Sequence, residues 1–381
     1  MSKVVLIRCE SYDETKVREA VTKGLNYLGG PGQFARSGEK ILLKPNLLVA
    51  EVPEKCVTTH PSVFKAVAEA FLTTGATISY GDSPAIGSTQ KAVKKCGLLE
   101  VAEALDLTLA DFKNGEKIFF EQGVQNKNFF IAKAVLENDA VISLPKLKTH
   151  ALERMTGSIK NQFGCIPGVL KGEYHVKIPD AHDFGRMLVD LNNYVHPRLY
   201  LMDGITAMEG NGPRGGTPKQ MNVLLFSDDP VALDAVVCRM VGISPEYVPT
   251  IKFGMETGAG TYLEDEIELL GDDFSSFVDD QFLISRKPID AYTKTGIQRF
   301  VKNRLVSKPV ILSEKCTSCG TCVSMCPVDP KALNWDEGDK DKPPIYNYTQ
   351  CIRCYCCQEL CPESAIELKK PIFRKFLDLF I

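Results

Sequence analysis

The run CTSCGTCVSMCP places Cys316, Cys319, Cys322 and Cys326 in the spacing C-x2-C-x2-C-x3-C, followed by Pro327. Further on, CIRCYCCQELCP repeats that spacing with Cys351, Cys354, Cys357 and Cys361, ahead of Pro362. Nine of the chain's fourteen cysteines lie between Cys316 and Cys361. Such clustering points to a metal module rather than to scattered core thiols. Nothing in the sequence suggests the export that a disulfide framework requires. Zinc sites usually pair two C-x2-C knuckles, so a doubled four-cysteine run ending in Cys-Pro argues for iron and sulfur instead.

Three thiolates two residues apart wrap one cubane, and the fourth is offset toward a second. This region resembles the bacterial-type two-cluster ferredoxin, in which the fourth cysteine of each run ligates the other cluster. The resemblance implies two 4Fe-4S clusters. Cluster one would take Cys316, Cys319, Cys322 and Cys361; cluster two would take Cys351, Cys354, Cys357 and Cys326. Cys356 falls outside the pattern, as a spare thiol or a neighbour of the ligands. The polar stretch VDPKALNWDEGDKDKPPIYNYTQ between the runs shields a cluster, docks it, or closes a hairpin. Two adjacent clusters make a wire, so electron transfer is expected, with a partner protein to exchange electrons. A reducing cytoplasm and an anaerobic host follow from the clusters.

A chain of 381 residues has room for two or three domains and a sizeable core. Its 44% hydrophobic and 24% charged residues are ordinary globular values. A net charge of −3 gives no electrostatic reason to expect nucleic acid, and no nucleic-acid-binding motif appears. The opening MSKVVLIRCE runs directly into a strand-like segment, so no signal peptide is expected. No apolar run reaches the length of a bilayer span.

Through the first 285 residues, apolar strands alternate with amphipathic helices. KVVLIRC precedes a helix near Glu14 to Tyr27, and KILLKPN precedes one near Ser62 to Leu72. ATISYGDSP leads to a helix around Thr89 to Lys95, and NVLLFSDDP to one near Val231 to Val241. Continuous apolar strands between helices predict an α/β fold, a layered, mostly parallel sheet covered on both faces. A helical linker over 286–311, a ferredoxin-type α+β module over 312–370 and an amphipathic tail over 371–381 complete the expected organisation.

The strand ends are polar. They carry Lys44 and Asn46, Asp82 and Ser83, Lys146, Lys148 and His150, Asp203, and Asp228 with Asp229. Carboxyl ends of parallel strands share one edge, where ligands bind, so all five are expected to border one crevice. Asp82, Ser83, Asp228 and Asp229 read equally as helix caps or ligand contacts. Downstream, TGSIKNQFGCIPG adds Lys160 and Asn161, while Cys165 reads as packed and His175 and His182 as exposed. GNGPRGG matches a dinucleotide fingerprint, but Pro213 and Pro218 and a following strand exclude the required helix. It reads as a loop over the site, with Arg214 reaching an anion.

LLKPNLL, YGDSP, LPKLKTHALERMTGSIKNQFG, LMDGITAMEGNGPRGGTP and SDDPVALDAVVCRM together resemble the domain of unknown function 362 family, over about residues 1–280. The resemblance implies a fold and a site more readily than a reaction. TGSIKNQFGCIPG has a weaker similarity to the lactate-racemase-like nickel-pincer family, whose histidine-rich motifs have no clear counterpart here.

The expected function is an iron–sulfur oxidoreductase passing electrons to a small anionic metabolite, carboxylate or phosphate, or to an anionic cofactor. Lys44, Lys146, Lys148 and Lys160 would hold the anion, and His150 or a crowded lysine would move a proton. The alternative is a non-redox isomerase or anion-binding domain, with the cysteine module as redox sensor or docking element. KTGIQRFVKNRLVSK and the tail KKPIFRKFLDLFI could touch a membrane surface, though packing onto the domains is the favoured reading.

Overall fold

The computed structural model describes residues 1–168, 170–289 and 306–371. The main sheet runs through β1 (Ser2–Arg8), β2 (Lys40–Pro45), β3 (Thr77–Tyr80) and β4 (Thr108–Leu109). A separate hairpin, β5 (Gly115–Phe119) and β6 (Asn128–Ala132), precedes β7 (Ala140–Leu144), β8 (Lys146–His150) and β9 (Arg154–Thr156). Then come β10 (Leu199–Glu209), β11 (Thr217–Ser227) and β12 (Ile267–Gly271). The order is β12-β1-β11-β10-β7-β2-β3-β4, with β8 beside β10 and β9 beside β8. The β12–β1, β10–β7, β10–β8, β7–β2, β2–β3 and β3–β4 pairs are parallel.

Both faces are covered, as the continuous apolar strands predict. In β1, Val5 and Ile7 face one core, while Val4 and Leu6 face the other. The first core packs against α1 (Glu14–Tyr27), α2 (Pro61–Leu72), α3 (Thr89–Lys95) and α4 (Leu98–Ala104). After the single turn α5 (Lys133–Leu136) and short α6 (Ser158–Asn161) comes α7 (Leu170–Lys177). The second core lies under α8 (Ala181–Val195), α9 (Pro230–Met240) and α10 (Pro249–Glu256). Asp13, Asp180 and Asp229 cap α1, α8 and α9 by accepting from the first free backbone N–H groups.

Two expectations about strand ends need correction. β11 runs antiparallel to both β10 and β1, and its end at Ser227 lies opposite Tyr200, at the start of β10. Asp228 therefore sits exposed at the far edge of the sheet, and Asp229 is a helix cap; neither borders the crevice. KLKTH, expected as the polar end of the preceding strand, is a strand of its own. Pro145 interrupts the ladder, and the chain resumes as β8, pairing Asp203 with Lys146.

In the cysteine-rich module, β13 (Lys308–Ile311) pairs antiparallel with β16 (Ile366–Lys369), so the module begins at Lys308 rather than at 312. Between them lie α11 (Thr321–Ser324), a two-residue ladder of β14 (Leu333–Asn334) with β15 (Ile345–Tyr346), and α12 (Cys356–Glu359). Of the expected linker helix over 286–311 and amphipathic tail over 371–381, residues 290–305 and 372–381 lie outside the described residues. Among the described residues no helix is long and apolar enough to cross a membrane.

Candidate functional site

A cavity of about 280 Å³ lies where the sheet edge meets the cysteine-rich module. Its α/β wall includes Asn46, Asp82, Ser83, Lys148, Thr156, Lys160, Asn161, Lys171 and His175. Ser324, Met325, Cys326, Pro327, Cys356, Glu359 and Leu360 of the module close the other side. Leu48, Ala85, Phe163 and Pro213 make much of the remaining surface apolar.

The adjacent ends of β2 and β3 support this wall from behind. Lys44 Nζ stands 2.9 Å from Asp82 Oδ1 and donates to the Asn161 carbonyl at 2.5 Å, with both side chains buried. Asp82 also accepts from the backbone N–H groups of Leu47 and Ser83, each at 2.9 Å. Gly164 lies so close that a Cβ there would fall 1.7 Å from Asp82 Oδ1. Lys44 is thus consumed in a buried ion pair behind the cavity and is not on its wall. Ser83 is a brace as well: its Oγ accepts from Gly168 N at 2.7 Å.

Lys148 is different. Its Nζ donates to Asn46 Oδ1 at 2.8 Å and to the Val57 carbonyl at 2.6 Å, with no carboxylate partner among the described residues. Asn46 in turn donates to Asn161 Oδ1 at 3.1 Å, linking β2 to α6. Burial, then the nearby Lys160 and Lys146, hold the Lys148 pKa well below that of an ordinary lysine. Lys160, at the end of α6, is half-buried and lies 5.9 Å from the centre of the Phe163 ring. No described carboxylate makes an ion pair with it.

Four other expected site residues are not brought to the cavity. Lys146 Nζ lies 2.7 Å from Asp203 Oδ2 and donates to Tyr12 Oη at 2.7 Å, in a separate buried cluster. Burial opposes its charge, but Asp203 and Tyr12 outweigh burial and raise its pKa, so it does not trade protons near neutrality. Asp203 is committed to that cluster, also accepting from Tyr12 Oη at 2.9 Å and from His60 N at 3.0 Å.

His150 Nδ1 accepts from Leu152 N and Glu153 N at 3.1 and 3.2 Å. Its Nε2 lies 2.8 Å from Glu359 Oε1, close but poorly aligned for a hydrogen bond. Burial and then Lys160 push His150 down to about 4, leaving the ring neutral. Burial works to raise Glu359, but His150 beside it, and after it Lys160 and His175, outweigh burial and hold the carboxyl below its usual range. Arg214 donates to the Leu360 carbonyl at 2.8 Å and pairs with Glu51 at 3.3 Å, so it fastens the module rather than reaching an anion.

The structure adds residues that sequence reasoning passed over. Lys171 and His175 stand one turn apart on α7, a spacing that puts them on one helix face. Their recurrence at i and i+4 was the available signal. Lys171 donates to the Ser83 carbonyl at 2.7 Å, and burial lowers its pKa to about 7. His175 is buried rather than exposed, and burial lowers it to about 4. Its Nδ1 and Thr156 Oγ1 have no hydrogen-bond partner among the described residues. Glu359 and Cys356 lay inside the second cysteine run, where the metal pattern hid any other role. Cys165 is packed, as expected, and burial pushes its thiol up to about 12.

Cys316, Cys319, Cys322 and Cys361 stand around one small hollow of about 20 Å³, walled by Ile311, Pro344, Pro362 and Ile366. Cys351, Cys354 and Cys357 are buried nearby, with Tyr346 Oη donating to Cys357 Sγ at 3.3 Å. Four thiols around an apolar hollow, with a second set beside them, suit iron–sulfur ligation.

Fold and site together define a class: an α/β domain on a mixed, mostly parallel sheet, its strand-end cavity closed by a 4Fe-4S dicluster module. A family model described as "Domain of unknown function (DUF362)" matches residues 41–239, and a "4Fe-4S dicluster domain" matches residues 308–362. The chain belongs to the DUF362 family and carries a C-terminal ferredoxin-like 4Fe-4S module.

It is 37% identical over 249 residues to a thylakoid-associated protein of Synechocystis sp., covering 65% of this chain and 77% of that one. It is 36% identical over 76 residues to the pyruvate synthase subunit PorD of Thermotoga maritima, covering 20% of this chain and 66% of that one. The lactate racemase apoprotein of Thermoanaerobacterium thermosaccharolyticum superposes with a TM-score of 0.40 at 14% identity. That alignment spans 60% of this chain and 55% of the racemase, and nothing about activity follows from it.

Proposed function

We propose that the protein is an iron–sulfur oxidoreductase whose substrate is a small carboxylate with a compact apolar body, bound in the cavity. One observation carries this reading: a cavity lined with lysines has Cys326, an expected cluster ligand, in its opposite wall. A purely anion-binding or isomerising domain has no need of that wall. The two cysteine sets named above would hold two 4Fe-4S clusters, which when bound supply electrons one at a time.

The protein's own residues do the rest. Lys160, free of any ion pair among the described residues, binds the carboxylate and stabilises negative charge that develops beside it. Thr156 Oγ1 and His175 Nδ1 meet polar atoms of the substrate and orient it. Leu48, Phe163 and Pro213 exclude water around its body. Lys171, with a pKa of about 7, gives up a proton near neutrality, and Lys148, whose charged form burial disfavours, is placed to exchange one.

The test is reoxidation of dithionite-reduced protein by reducible carboxylates such as 2-oxo acids and 2-enoates. At least one should reoxidise the clusters, and Lys160→Ala with unchanged iron content should slow that reaction at least tenfold. Reoxidation by none of them, or at equal rates in the variant, overturns the reading.

A further inference from the structure

The two expected clusters do not stand alike toward the cavity. Of their eight cysteines, Cys326 lines it, and Cys326 belongs to the second set. Cys356, outside both sets, lines it too, and it lies two residues after Cys354 and next to Cys357 of that same second set. The first set surrounds its own hollow, and its Cys319 is exposed. The cavity bears the marks of a ligand site independently of these thiols, since buried His175 Nδ1 and Thr156 Oγ1 on its walls lack partners among the described residues.

We propose that cluster two is the cluster facing the cavity, and that Cys356 is a positioning residue coupling its potential to whatever the cavity holds. The thiol of Cys356, set between Cys354 and Cys357 in the chain, would donate to a sulfur of cluster two on one side and borders the cavity on the other. A hydrogen bond to a cluster sulfur stabilises the more negative, reduced state, and exclusion of solvent shifts the same balance. A ligand that fills the cavity therefore changes the potential of cluster two and leaves cluster one alone. Cluster one, with Cys319 at the surface, is the one left to meet an external redox protein. This inference rests on the cavity being the ligand site, and its test separates the two ideas.

The experiment is an EPR-monitored redox titration of anaerobically reconstituted full-length protein, with sodium benzoate as the probe. Cys354→Ser and Cys319→Ser identify the signals of cluster two and cluster one. Cys356→Ala should lower the potential of the signal that Cys354→Ser perturbs, with iron content and the other signal unchanged, and Cys356→Ser should restore it. Benzoate should move that same signal in the wild type. A Cys356→Ala shift in the Cys319 signal, or in neither, overturns the proposal, as does loss of a quarter or more of the iron. If calorimetry shows no benzoate binding while the Cys356→Ala shift stands, the carboxylate reading falls and the coupling survives.

Discussion

Lys44 faces Asp82 and Lys146 faces Asp203, whereas buried Lys148 donates to the neutral acceptors Asn46 Oδ1 and the Val57 carbonyl and, among the described residues, meets no carboxylate. Removing one member of a buried ion pair strands the other charge, so Lys44→Met should cost about 3–5 kcal/mol of stability. Lys148→Met strands no charge but leaves two buried acceptors unpaired, and should cost about 1–3 kcal/mol. Urea unfolding of the two variants side by side measures the difference. Lys171 gives a pH signature. Folded, it loses its proton near 7; unfolded, it keeps the proton to the ordinary lysine value of 10.5. Between those values the unfolded chain binds more protons, so this residue makes stability rise with pH, and Lys171→Met should flatten that rise. Benzoate affinity should move the other way, weakening as pH climbs through 7, and calorimetry across that range checks it. The cations of LPKLKTH were legible in the sequence. Their fates were not, because Asp203 meets Lys146 through the β8–β10 register, and Asp82 meets Lys44 across two neighbouring strand ends.

The short helix α6 presents Lys160 to the cavity and is itself fixed from a distance. Asp234 on α9 accepts from Ser158 N at 2.7 Å, and a Cβ on Gly157 would fall 2.3 Å from its carboxylate. Asp234→Ala should cost about 1–3 kcal/mol and weaken benzoate binding, because the start of α6 loses its acceptor. Thermal unfolding and calorimetry on one preparation check both effects. The glycine entry to this helix was visible in TGSIKN, while its partner lies 76 residues away and leaves no local signal. The direction of β11 could have been read correctly. Parallel neighbours need a crossover of about a dozen residues or more, and the stretch from Glu209 to Thr217 is too short for one. A hairpin was the available topology, and it carries Asp228 to the far edge.

At the scale of the whole molecule, the loop read as a lid is the seat of the cysteine-rich module. Gln358 donates to Asn211 O at 2.9 Å and Gly212 O at 3.2 Å, Asn211 donates to Ile366 O at 2.9 Å, and Arg214 donates to Leu360 O. The cavity exists only while this seat holds, so loss of the clusters should open it. Hydrogen exchange of the 210–216 amides should speed up after chelation of the iron, and also in Gln358→Ala with clusters intact. The α/β fold and the cysteine-rich dicluster region were legible from periodicity and spacing. The seat was not, since its contacts are mostly to backbone carbonyls, which any sequence offers.

The central claim is that an anion sits in the cavity within reach of an iron–sulfur cluster. Pulsed ENDOR on the reduced protein with carboxyl-¹³C benzoate tests that placement most directly. A ¹³C coupling should appear on a single cluster signal, the one perturbed by Cys354→Ser, and be lost in Lys160→Ala. Bound benzoate with no ¹³C coupling to either cluster would contradict it.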